Sequence, residues 1–114
     1  MTSVWRRSRP NLTPVNSPYR ISRKAQEDIR EIGLYTQQIW GKEQRRIYLN
    51  GLEKGFQQIA ENPLLAPERP EFEPVVRIHP FQKHLIVYIS DPESLLIVRV
   101  LHANMDVTTR LSLS

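Results

Sequence analysis

Arg77, Tyr88, Arg99 and His102 are the residues whose chemistry could add up to a reaction. Two guanidiniums can grip a phosphate and offset the charge that builds on it as a bond breaks. A phenol or an imidazole can move the proton. That is the minimum set for metal-free cleavage of RNA through its own 2′-hydroxyl. All four fall on, or at the end of, stretches that read as neighbouring strands. Strand parity opposes the set. Arg99 and His102 are three positions apart, so in a regular strand they face opposite ways unless a bulge intervenes. Simpler roles compete. Tyr88 reads as a sheet aromatic with its hydroxyl at the rim. Arg99 sits inside the apolar run Leu95–His102 and needs a carboxylate or a chain terminus as partner.

Other chemistry has little support. His79, His84 and His102 are the only histidines and have no metal-site spacing, so no metal and no cofactor is expected. Phosphate-cradling loops and nucleophile elbows are absent as motifs. The chain has no cysteine, which fits a reducing compartment. Its longest apolar stretch is too short to span a bilayer, and nothing resembles a secretory signal. A cytoplasmic protein is expected. The net charge is +4, but Arg6, Arg7 and Arg9 supply +3 of it within residues 1–18. The rest of the chain is nearly neutral and lacks the basic surface that tracks phosphates.

The elements that position these residues follow from periodicity. Residues 1–18 are proline- and arginine-rich with no apolar period and read as a disordered basic leader. Tyr19-Arg20-Ile21 is strand-like, and Ser22 is a good N-cap for a helix. Ala25, Ile29, Ile32, Tyr35 or Thr36, and Ile39 make the inward stripe of that helix. Arg23–Glu27 and Lys24–Asp28 are spaced as ion pairs, and Gly41 stops the helix. A second helix runs from about Lys42 to Glu61, with Tyr48, Leu52, Phe56 and Ile59 inward and Gly55 placed for close packing on the first. Residues 63–74 read as a loop. Three strands follow: Val75–His79, Lys83–Ser90 and Leu95–His102. Pro80-Phe81-Gln82 and a type I turn at Asp91-Pro92 link them. Residues 107–114 are a short tail. The result is an α+β domain, residues 19–106, ordered β-α-α-β-β-β. A helical hairpin packs on one face of a small, mainly antiparallel sheet, and the other face is left for a partner. Leu34, Ile39 and Trp40 crowd the end of the first helix and cannot all join its inward stripe. They form either a docking surface for a second chain or a plug for the hairpin.

These residues resemble the ParE branch of the RelE/ParE toxin superfamily. The resemblance runs through Tyr19-Arg20-Ile21-Ser22, Ala25, Asp28-Ile29, Tyr35 and Trp40-Gly41. It continues in Phe56-Gln57-Gln58-Ile59-Ala60-Glu61-Asn62-Pro63, Arg77, Tyr88, Ile97-Val98-Arg99-Val100-Leu101-His102 and Met105-Asp106. The leader is longer than the family needs, and Pro-Glu-Phe-Glu-Pro before Arg77 lacks a glycine often found there. The resemblance implies the toxin of a type II toxin–antitoxin pair. ParE-like toxins inhibit DNA gyrase by stabilising a cleaved gyrase–DNA state; RelE-like relatives cleave mRNA on the ribosome. The family pattern makes Arg99, His102, Met105 and Asp106 the candidates for target binding. It also implies a ParD-like antitoxin whose tail folds on binding and lays a helix across the hairpin at Leu34, Ile39 and Trp40. A gyrase inhibitor that is not an enzyme is the favoured expectation. A ribosome-dependent ribonuclease using Arg77, Tyr88, Arg99 and His102 is the alternative, and a non-toxic antitoxin-binding module is a third reading.

Overall fold

Ser22 starts the fold. Its Oγ accepts the Ala25 N–H at 3.0 Å and donates to the Val98 carbonyl at 2.7 Å. One side chain thus caps a helix and pins it to the sheet. We expect Ser22→Ala to cost about 1–2 kcal/mol in urea denaturation, more than a cap alone. The computed structural model describes residues 18–105 and 107–112; residues 1–17 of the expected leader at 1–18, Asp106, and residues 113–114 of the expected tail lie outside the described residues.

The elements are β1 (Arg20–Ile21), α1 (Arg23–Trp40), α2 (Lys42–Glu61), a 3₁₀ turn (Pro63–Leu65), β2 (Glu68–Arg69), β3 (Val76–Phe81), β4 (His84–Ser90), β5 (Leu95–His102) and α3 (Val107–Ser112). The α+β architecture expected from the sequence is present. The five-stranded sheet has the order β1-β5-β4-β3-β2. β1 runs parallel to β5, and the other neighbours are antiparallel. Gly41, at φ 96°, joins the helices through a single residue in a conformation that glycine tolerates best.

α1 and α2 cover one face, where Ala25, Ile32, Leu52, Phe56 and Ile59 meet Ile86, Tyr88, Ile97 and Val100. Of the two candidates for the α1 stripe, Thr36 is buried and Tyr35 is not. Ile39, expected inward, is exposed. Gly55 does not face α1: a Cβ there would meet Ile86 and Phe81 of the sheet. Gly33 of α1 takes that role, against Arg45 and Leu49 of α2.

Four expectations need correction. The 63–74 loop contains the edge strand β2, which pairs with Val76 and Arg77. β3 extends through Pro80 and Phe81, because the β3–β4 turn is the two residues Gln82 and Lys83. Gln82 adopts φ 54° there, as primed hairpin turns require of their first central position. The tail forms α3. The reverse face of the sheet is not free. Val76, Val87 and Leu101 point to it, and Phe72 together with Val107 and Leu111 of α3 packs on them as a second apolar cluster. Leaving those side chains wet would forfeit about 25 cal/mol for each Å² of apolar surface.

Candidate functional site

Burying an arginine dictates how one end of the sheet is built. β1 pairs with β5 at Leu96 and Ile97, so among the described residues no strand lies on the β5 edge beyond them. Asp28 of α1 takes that place. Its carboxylate accepts the Val100 N–H at 2.9 Å and the Arg99 guanidinium at 2.8 and 3.1 Å. Both side chains are only 13% exposed. The Asp28 bond is the main reason the Arg99 pKa is raised. Asp28 pairs with Arg99 rather than with Lys24, the partner expected from helix spacing.

The bulge that parity called for exists, but one step early. Val87 pairs with Arg99 while Tyr88 pairs with Ile97, so Val98 is the extra residue. From Arg99 to His102 the strand is regular. Arg99 is opposite Val87 of the reverse-face cluster, and His102 is opposite His84, which contacts α2.

The four candidates for RNA cleavage are therefore not gathered. Tyr88 is fully buried; its hydroxyl donates to the Pro63 carbonyl at 2.8 Å and receives the Ala66 N–H at 3.4 Å. Burial pushes its pKa up, which suits an O–H held as a donor. Arg77, its cross-strand neighbour, donates to the Ala66 carbonyl at 2.6 Å and lies 3.7 Å from the Glu68 carboxylate. Both residues fasten the 63–69 segment. His102 lies toward the other end of the β4–β5 ladder.

That other end opens into a groove of about 940 Å³ between the helical hairpin and the sheet. Glu31, Tyr35 and Trp40 of α1 form one wall, and Gln44, Ile47 and Tyr48 of α2 another. His84, Val100 and His102 line the strand side, and Gln82, Lys83 and Met105 line the rim. Trp40 is 67% exposed and Tyr35 63%, with Ile47 also exposed. Leu34 and Ile39 are exposed too, but they do not line the groove. Of the candidates for target binding, His102 and Met105 line it, Arg99 is tied to Asp28, and Asp106 lies outside the described residues.

Tyr48 and His84 are functional candidates that the sequence reading passed over. Tyr48 read as a core position, yet its hydroxyl meets His84 Nδ1 at 2.6 Å. Burial raises the Tyr48 pKa. The His84 pKa is lowered, first by burial and then by His102, with Asp28 opposing. Among the described residues no cluster of three or more histidine, cysteine or acidic side chains could hold a metal. No described helix is long and apolar enough to cross a membrane.

Comparison with known proteins gives a consistent family. The family described as "ParE toxin of type II toxin-antitoxin system, parDE" matches residues 19–107. "Toxin ParE" of Escherichia coli is 32% identical over 95 residues, 82% of this chain and 92% of that protein. "Toxin ParE1" of Caulobacter vibrioides is 32% identical over 94 residues, 82% of this chain and 97% of that one. "Toxin ParE1" of Mycobacterium tuberculosis is 32% identical over 98 residues, 85% of this chain and all of that one. A chain in the solved structure "Chromosomal ParDE TA system from P. aeruginosa" shares the fold, with TM-score 0.64 and 16% identity over 74% of this chain and 92% of that chain.

Proposed function

Because this chain belongs to the ParE toxin family of type II toxin–antitoxin systems, we propose that it acts in the cytoplasm on DNA gyrase and is neutralised by a ParD-like antitoxin that fills the groove beside Tyr35 and Trp40. The observation that carries the antitoxin half is the apolar strip of Tyr35, Trp40 and Ile47, left exposed along an open groove. An amphipathic segment that lays its apolar side there removes that surface from water. The solved relative titled as a ParDE system supports the choice of partner.

The gyrase half has support from what the candidate catalytic groups are doing. Arg77, Tyr88 and Arg99 are engaged in bonds that hold the fold together. None is left to grip a phosphate, which favours a binder that stabilises a state of its target over a catalyst. Purified chain at low micromolar concentration should stop gyrase supercoiling or accumulate cleaved plasmid, and added antitoxin should reverse it. Unaffected gyrase, with mapped mRNA cuts in expressing cells, would instead identify a ribonuclease.

A further inference from the structure

The histidine end of the groove has a chemistry that its apolar wall does not explain. His84 and His102 are cross-strand partners with ring centroids 5.3 Å apart. The Asn104 N–H donates to His102 Nδ1 at 3.1 Å. A ring nitrogen that accepts a hydrogen bond carries no proton, so the His102 proton is on Nε2. A phenol hydroxyl that donates to His84 Nδ1, 2.6 Å away, leaves that nitrogen without a proton. His84 then holds its own proton on Nε2 as well. Two imidazole N–H donors and the exposed Lys83 side chain line one end of the groove. No ion pair engages Lys83 among the described residues. The groove's acids do not satisfy these donors: Asp28 is committed to Arg99, and Glu31 is on the α1 wall.

We propose that Lys83, His84 and His102 form a carboxylate-binding subsite, and that its occupant is an Asp or Glu side chain of the antitoxin segment filling the groove. The inference rests on the reading that the groove takes the antitoxin. Tyr35 and Trp40 supply apolar contact, which is tolerant of register. An acid that must meet three donors at one end fixes the orientation and register of the segment. A bound carboxylate also favours the charged imidazole. In the free chain, burial and His102 hold the His84 pKa down, with Asp28 opposing; Glu31, Tyr48 and Lys83 complete the ionisable groups lining that part of the groove. The complex therefore binds more protons than its separated parts, and affinity rises as pH falls.

The test is calorimetric titration of the full chain with its cognate antitoxin, at pH values from about 8 to 6, in buffers of different ionisation enthalpy. Proton uptake on binding and an affinity about tenfold tighter at the acid end are expected. Lys83 is exposed, so Lys83→Met should fold normally and bind about fivefold more weakly at low salt, with the difference shrinking at high salt. Replacing the antitoxin's acids one at a time by their amides should find one that abolishes the proton uptake. Absent uptake, with Lys83→Met within twofold of wild type while Trp40→Ala still weakens binding, overturns the subsite and leaves the groove reading standing. If Tyr35→Ala and Trp40→Ala have no effect either, the segment docks elsewhere and both readings fall.

Discussion

Asp28→Ala should destabilise the chain by about 3 kcal/mol, the low end of the range for removing one partner of a buried ion pair. The low end applies because 13% of each partner's side chain still meets water. Three hydrogen bonds end on that carboxylate: two from the Arg99 guanidinium and one from the Val100 N–H. Truncation strips the arginine of this carboxylate and leaves a strand-edge N–H unmade, in a place that no strand among the described residues reaches. Total stabilities of domains this size are about 5–15 kcal/mol, so the urea midpoint should move far. Asp28→Asn should cost less, since the amide oxygen can still accept from Val100. The decisive comparison is with the pair: Asp28→Ala combined with Arg99→Met should be more stable than Asp28→Ala alone, because no guanidinium then stays buried after losing its closest carboxylate. A double variant no better than the single would mean that the cost lies in the lost Val100 bond and not in the arginine.

The same corner shows where sequence reasoning succeeds and where it stops. Helix periodicity is a local property, so both helices, the Ser22 cap and the Gly41 stop are legible from residue types alone. Alternation in β4 was legible for the same reason: Ile86 and Tyr88 face the helices, and Val87 and Ile89 face the reverse. Register is not local. Ser90 pairs with Leu95 across the turn, and an unbroken ladder counted back from there would put His84 opposite Leu101. The bulge at Val98 shifts it by one, to His102. A one-residue shift reverses which side chains share a face, so the His84–His102 pair stays hidden until the bulge is known. Nothing in Ile97-Val98-Arg99 marks a bulge, and the groups that bond the backbone around it come from far off in sequence: the Ser22 hydroxyl on the Val98 carbonyl and the Asp28 carboxylate on the Val100 N–H. Phe72 was obscured differently. Prolines and glutamates surround it and make its segment read as loop, while the apolar surface that holds it comes from Val76, Val87 and Leu101.

Replacing Tyr35 and Trp40 together by alanine should abolish neutralisation and leave the toxin folded. Both side chains lie mostly in water, so their removal should change stability by no more than about 0.5 kcal/mol. An isolated domain gains little from an aromatic in that position. A partner that covers it gains a great deal: buried aromatic anchors at interface centres are worth about 2–4 kcal/mol each on truncation. Even at the low end, the double variant should bind antitoxin roughly a thousandfold more weakly. Cells co-expressing it with antitoxin should stop growing, while those with the wild-type pair grow. Leu34→Ala and Ile39→Ala are the informative contrast. Both residues are exposed on α1 yet absent from the groove lining. If the antitoxin segment stays within the groove, they should change affinity by less than threefold. If it also wraps the hairpin's outer side, they should weaken binding about tenfold each. Antitoxin that still binds the Tyr35/Trp40 double variant within threefold of wild type would place its main anchor elsewhere, and the apolar strip along α1 and α2 would need a different occupant.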